Sequence, residues 1–419
     1  MLPASSSGFA MTTRPLSQRQ ILVLSVAAAA ILLITMGARQ TSGLYLLPIT
    51  RSTGVSIVAF SLALAVGQFM FGLAQPIFGA LADKFGAIRV IVFGALMLAA
   101  GAALTPFVSS SGGLLFTMGI LSAAGAAAGS FSILIGIAAQ RLPPEKRSFA
   151  AGFINAGGSI GQFVFAPIVQ FFIGAAGWAS AMFFTAAAAL LTIPITLLLR
   201  EKPLPAGEAN LKAHTAHPSL SAQLRDAMAN PSYLYLHAGF FTCGFHIAFL
   251  VTHLPSELQL CGLSGQVAAN SLALIGLFNV AGSLLAGWLG QRYRMKYLLV
   301  SIYGSRALIV AIYVLMPKTA LNVYLFAGAL GFTWLATVPP TAGLVGKLFG
   351  TRYIATLFGL TLVSHQVGGF LGAWLGGIAL ARTGSYDWIW YADITLALLA
   401  AAINLPIREA RLQLQPAAA

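Results

Sequence analysis

Charged side chains are scarce in this sequence: Asp, Glu, Lys and Arg make up 8% of 419 residues, where an average soluble domain carries about 25%. With 58% of residues hydrophobic, a globule whose surface faces water is excluded, and the solvent for most of the chain is lipid. Cysteine is nearly absent. Cys243 and Cys261 are the only two, they lack metal or redox spacing, and both are expected to be buried, inert thiols. Acidic residues are fewer than basic ones, nine against 23, for a net charge of +14. In a soluble chain that excess points to nucleic acid, but here the basic residues form no stripe or tail and sit singly between apolar runs. Nucleotide drive lacks its motif, because Gly346-Lys347 is followed by Leu348 and has no upstream glycine of a phosphate loop. Nothing has the spacing of a catalytic triad, a metal cluster or a haem site, so neither enzyme activity nor a cofactor is expected.

What the sequence has in abundance is apolar runs of membrane-spanning length. A hydrocarbon core of about 30 Å needs roughly 20 helical residues, and twelve windows qualify. They run approximately 21–49, 55–81, 88–108, 113–140, 149–173 and 179–199, then 232–257, 267–289, 297–316, 321–346, 353–380 and 386–406. The first is too long for the core of a signal peptide, so it is kept as a span whether translation starts at Met1 or Met11. Residues 1–20 are then an N-terminal tail, 21–199 a first six-helix unit, 200–231 a polar linker, 232–406 a second six-helix unit and 407–419 a C-terminal tail. Eighteen Lys and Arg residues fall on one side of the membrane in this arrangement, against Arg51, Lys318 and Arg382 on the other. That asymmetry predicts both termini in the cytoplasm and accounts for the net charge without a nucleic-acid partner. His214 and His217 belong to the linker and read as solvated residues.

Shifting the chain by about 207 residues superposes its halves: Pro48 falls on Pro255, Gly79 beside Gly287, Gly152 on Gly359 and Gly161 on Gly368. Between the second and third spans, residues 79–89 read GALADKFGAIR, with a degenerate copy, GWLGQRYRMK, at 287–296 in which Gln291 replaces the acid. This loop resembles the cytoplasmic signature of the major facilitator superfamily. The resemblance implies an all-α membrane fold of two pseudo-symmetric six-helix bundles, a substrate site between them near mid-membrane, and gating roles for Asp83 and Arg89. RLPPEKRSFAAG at 141–152 and GAAGW at 174–178 look like the monocarboxylate and oxalate–formate transporter branch, although Ala179 stands where those proteins usually place an arginine. A second departure is Asn279-Val280-Ala281-Gly282-Ser283, where monocarboxylate transporters carry an aspartate and an arginine.

Ionisable groups inside hydrocarbon cost from about 2.5 to over 10 kcal/mol and so demand a partner, a wet cavity or a function. Arg39, Arg306 and Asp393 stand out. No acid in the first six spans is available to Arg39, so an anionic substrate is the expected counter-charge, held by the guanidinium fork. The repeat places His246 in the position equivalent to Arg39, nine residues before its proline, as a substrate-binding or proton-carrying residue. His253 is a second proton-coupling candidate. Tyr45, Gln162, Trp334 and His365 are expected to complete the substrate site, while Arg306 and Asp393 are expected to pair as a structural salt bridge.

The reading is a secondary transporter of a small, monocarboxylate-like organic anion, by proton symport or anion exchange, acting as a monomer in a bacterial inner membrane. Proton-coupled efflux of an amphipathic compound is an alternative, weakened because Gly158-Ser159-Ile160-Gly161-Gln162 lacks the proline of the usual exporter signature. A transport-inactive sensor is another, but no large soluble domain accompanies the spans.

Overall fold

The computed structural model describes residues 17–141, 144–199, 219–350 and 353–409. These residues are almost wholly helical. Helix one comprises Gln18–Gln40, a 3-10 turn Ser42–Tyr45 and Leu46–Thr53; helices two and three are Ile57–Phe85 and Ala87–Leu104. Helix four runs from Ser111–Leu114 through a π-helical stretch Leu115–Ser122 into Ala123–Ala128 and Phe131–Arg141, followed by helices five, Pro144–Ala176, and six, Trp178–Leu197. The second half holds helices seven, Pro231–Leu260, eight, Gly265–Arg292, nine, Met295–Leu315, and ten, broken into Ala320–Thr333 and Val338–Phe349. Helices eleven and twelve are Ile354–Thr383 and Asp387–Asn404.

Local chemistry explains the ends. Ser17 opens helix one through a capping box with Gln20, Ser56 and Ser264 cap helices two and eight, and Asn230 caps helix seven with Pro231 in its first turn. Gly86, at φ 91°, turns helix two into helix three, a conformation that favours glycine. Among the described residues, ten helical segments are long and apolar enough to cross a membrane. Helix twelve falls short of that composition because it carries Asp387 and Asp393. Two expectations need adjusting. The linker region, of which 200–218 lies outside the described residues, contains a short helix, Leu220–Met228. Cys261, expected to be buried, is exposed at the C-terminal cap of helix seven.

The internal repeat appears as duplicated packing. Helix one lies along helix five in the first half as helix seven lies along helix eleven in the second, and the halves meet through the pairs two–eleven and five–eight. The glycines matched by the repeat make the same contact: a Cβ on Gly161 would lie 2.1 Å from the Leu33 carbonyl oxygen, and one on Gly368 2.0 Å from that of Phe241. Only glycine allows helix backbones to approach so closely, and in lipid such packing drives helix association.

Between the bundles the contacts are lopsided. At the end remote from the chain termini, a Cβ on Gly43 of helix one would lie 2.0 Å from the Val251 carbonyl oxygen of helix seven, and one on Gly377 2.4 Å from the Ser61 hydroxyl. At the terminus end Gly79, Gly152, Gly287 and Gly359 face open space. The close approaches of helix one to helix seven and of helix eleven to helix two hold the bundles together at the end remote from the termini.

Candidate functional site

Helix one breaks beside the seal. Pro48 has no amide hydrogen for Leu44 and its ring crowds that carbonyl, so the chain ahead of it winds as the 3-10 turn Ser42–Tyr45. Arg39 lies just before this turn, half-buried. Its Nη2 donates to Oε1 of Gln68, and its guanidinium carbon sits 4.1 Å from the centroid of the Phe71 ring. A guanidinium carries five N–H donors, and among the described residues no carboxylate lies within salt-bridge distance of this one. Helix two thus holds the side chain in place while leaving its charge unneutralised.

Arg39 lines a cavity of about 70 Å³ inside the first bundle, together with Tyr45, Thr185 and apolar walls such as Leu64, Met118 and Met182. The Thr185 hydroxyl donates to the Ala181 carbonyl at 2.9 Å, so in the 3.3 Å contact between Tyr45 and Thr185 the phenol is the donor. Arg39 and Tyr45, both expected at the site, are brought together here.

The second bundle departs from expectation. Arg306 and Asp393 form no salt bridge. Asp393 instead binds His246, Oδ2 to Nδ1 at 2.6 Å, with both side chains fully enclosed. Arg306 turns to the interruption in helix ten between Thr333 and Val338, where the carbonyls of the turn before the break lose their helical amide partners. Its Nη2 donates to the carbonyl oxygens of Thr333, at 2.5 Å, and Trp334, at 3.0 Å. The correction has a simple cause: freed carbonyls in a membrane interior are as pressing as a charge, and His246 lies nearer the acid. Asn279 supports the same break from the other side. Its Oδ1 accepts from Leu335 N at 3.0 Å while its Nδ2 donates across the bundle interface to Ser159 at 2.9 Å.

His246 and Trp334 are therefore core residues of the second bundle, their rings 6.0 Å apart, and neither lines the Arg39 cavity. Gln162 is likewise fully buried, against Gly276 of helix eight, with both amide atoms lacking a protein partner. His253 is a satisfied core histidine: Nε2 meets the Ala373 carbonyl at 2.6 Å and Nδ1 the Tyr386 hydroxyl at 3.1 Å. His365 is half-buried, its ring 5.0 Å from that of Phe240. Arg89 is exposed in the first turn of helix three, and the side chain of Asp83 lies outside the described residues.

One buried acid was missed. Glu257 accepts from Trp390 Nε1 at 3.0 Å and from the Tyr313 hydroxyl at 3.3 Å near the end of helix seven. Lys318 lies close by in the loop between helices nine and ten, its Nζ donating to the Tyr313 carbonyl at 2.6 Å. Partial burial lowers the Lys318 ammonium from its ordinary value, and the Glu257 carboxylate opposes that shift. An acid inside a predicted span was the available signal, but the span was drawn to end at that residue.

With two six-helix bundles, a polar midline and one sealed end in place, the comparisons with known proteins are decisive. The family model of the Major Facilitator Superfamily matches residues 27–373. The chain belongs to that superfamily. It is 28% identical to monocarboxylate transporter 13 of Rattus norvegicus over 80% of this chain and 76% of that one. It is 25% identical to the oxalate:formate antiporter of Oxalobacter formigenes over 86% and 84%. The crystal structure of a D-xylose-proton symporter superposes with a TM-score of 0.74 at 13% identity, covering 94% of this chain and 99% of that one, which shows the fold alone. This superfamily member is a multi-pass membrane transporter, and its relatives are transporters rather than enzymes.

Proposed function

We propose that this superfamily member is a secondary active transporter of a small carboxylate, with Arg39 as the residue that holds the anion. The observation carrying the proposal is a guanidinium positioned by Gln68 and Phe71 inside the membrane with no carboxylate partner among the described residues. A carboxylate cargo supplies the missing charge and takes two parallel N–H bonds from the fork. His365, on helix eleven of the second bundle, is taken as a further substrate-binding residue. The names of the monocarboxylate and oxalate:formate relatives support an organic anion.

Orientation follows from the basic residues. With the termini in the cytoplasm, the contacts at Gly43 and Gly377 lie on the outer side and close it. Alternating access then consists of breaking that outer seal while the inner ends come together, where Asp83 and Arg89 act as gating residues. Proton symport and anion exchange are the two coupling modes, in the plasma membrane of a bacterial cell, and a monomer suffices for either.

The test is uptake into proteoliposomes containing the purified protein. Labelled acetate, lactate, oxalate and formate are each supplied with and without an inward proton gradient and with and without internal anion. Uptake of at least one, abolished in Arg39→Gln, is expected. Transport of cationic or neutral amphipaths at a rate indifferent to that substitution overturns the proposal in favour of efflux.

A further inference from the structure

The cavity beside Arg39 lies inside the first bundle, walled by helices one, two, three, four and six, and not in the cleft between the halves. We infer that this cavity is a tail pocket that selects the carbon-chain length of the carboxylate, an inference that rests on the anion reading of Arg39.

The charged end is Arg39, held by Gln68 and Phe71. The middle is apolar, lined by Leu64, Leu98, Met118 and Met182, with Ala102 and Ala126 keeping space open between them. At about 70 Å³ the cavity offers roughly five water-sized positions, taking about 10–15 Å³ for each. That matches a short aliphatic tail of about five non-hydrogen atoms.

The polar end is the Tyr45–Thr185 pair. Its two protons are committed, that of Thr185 to Ala181 and that of Tyr45 to Thr185, so the phenol oxygen offers only acceptor capacity. A hydroxyl on the tail can donate there, whereas a second carboxylate brings only acceptors and a charge with no counter-ion. The ligand class is therefore a short monocarboxylate, plain or hydroxylated at the tail, with dicarboxylates disfavoured.

A separate feature points to the same place. Helix four adopts π geometry over Leu115–Ser122, with the Ser122 hydroxyl donating to the Thr117 carbonyl five residues back at 2.8 Å. Met118 and Ser122 of this stretch line the cavity. π segments are rare and gather at functional sites, and here the wider turn sets the wall that faces Arg39.

The experiment measures thermal stabilisation of purified protein by unbranched monocarboxylates of one to eight carbons, and by succinate and glutarate. For the wild type, stabilisation is expected to peak near about five or six carbons and to be absent with the two dicarboxylates. Met182→Ala deepens the pocket and is expected to move the peak about two carbons longer. Ala102→Leu fills it and is expected to abolish the effect of the longer acids while formate and acetate still act. Arg39→Gln is expected to remove every response. If one pocket variant fails to melt cooperatively, the other carries the test from the opposite direction. Unchanged chain-length profiles in the folded pocket variants, with Arg39→Gln still silent, overturn the tail pocket and leave the anion reading standing. No stabilisation of the wild type by any carboxylate overturns both.

Discussion

Replacing Arg39 with glutamine is expected to produce two effects of opposite sign. In the unliganded protein the guanidinium has one side-chain hydrogen bond, to Gln68, and a ring face, from Phe71, but no carboxylate among the described residues. A cation held this way still bears most of its desolvation cost. Removing it is therefore expected to stabilise the empty transporter by about 1–2 kcal/mol, after subtracting the hydrogen bond to Gln68 and the cation–π attraction of Phe71. Binding moves the other way. Two parallel charge-assisted hydrogen bonds to a carboxylate are worth about 3 kcal/mol at the low end of their range, which is about a hundredfold in Kd. Arg39→Lys keeps the charge but loses the fork, and a loss of about 1.4 kcal/mol corresponds to about tenfold weaker binding. Thermal unfolding in detergent, with and without carboxylate, reads both effects in one experiment. A structural arginine gives the reverse pattern, so an empty Arg39→Gln protein that melts lower than wild type and is still stabilised by carboxylates refutes the reasoning.

The second bundle yields further expectations. Arg306→Ala strips the carbonyls of Thr333 and Trp334 of their donor and should destabilise by about 2–5 kcal/mol, with Arg306→Lys recovering part of it; equal melting of wild type and alanine variant refutes the capping role. Asp393→Leu leaves His246 without its buried partner, at an expected cost of about 3 kcal/mol. His246→Leu combined with Asp393→Leu should melt above either single change, as a double-mutant cycle by thermal unfolding will report. Gly43→Val places side-chain atoms against the Val251 carbonyl and should open the seal at that end, read as faster labelling of a cysteine introduced at Ser61; unchanged labelling argues that the seal is not the moving part.

Much of the fold was legible because the membrane imposes a coarse code. Apolar run length gave twelve helices, and the doubled proline and glycine positions gave the two halves, since a glycine under a carbonyl has no substitute in either copy. What could not be read was where helices break. Helix one is interrupted just ahead of Pro48, but an equally placed Pro255 leaves helix seven continuous over Pro231–Leu260. The difference is tertiary. Helix one has to fold its 3-10 turn against the carbonyls of helix seven at Gly43, whereas helix seven is buried on nearly every face through this stretch and is held straight by its neighbours.

That asymmetry also decides the site. Arg39 was identifiable from sequence because it lacked a partner of opposite charge along six spans, and the structure adds what holds it. His246 occupies the repeat-equivalent position, yet the unbroken helix seven turns it into the second bundle toward Asp393, an acid that the first bundle does not have. Arg306, lacking that acid, serves the backbone of helix ten at its break, donating to the carbonyls of Thr333 and Trp334. Each of these choices follows from one constraint: in a membrane interior, a freed carbonyl, a lone acid and a lone base must be settled with whatever lies within reach. Sequence shows which groups need settling, but reach depends on how the helices rotate and where they break. Arg39 and Arg306 both lack a carboxylate partner among the described residues, but Arg306 is enclosed and spends its Nη2 on two carbonyls, whereas Arg39 lines a cavity, and that is where a ligand of opposite sign belongs.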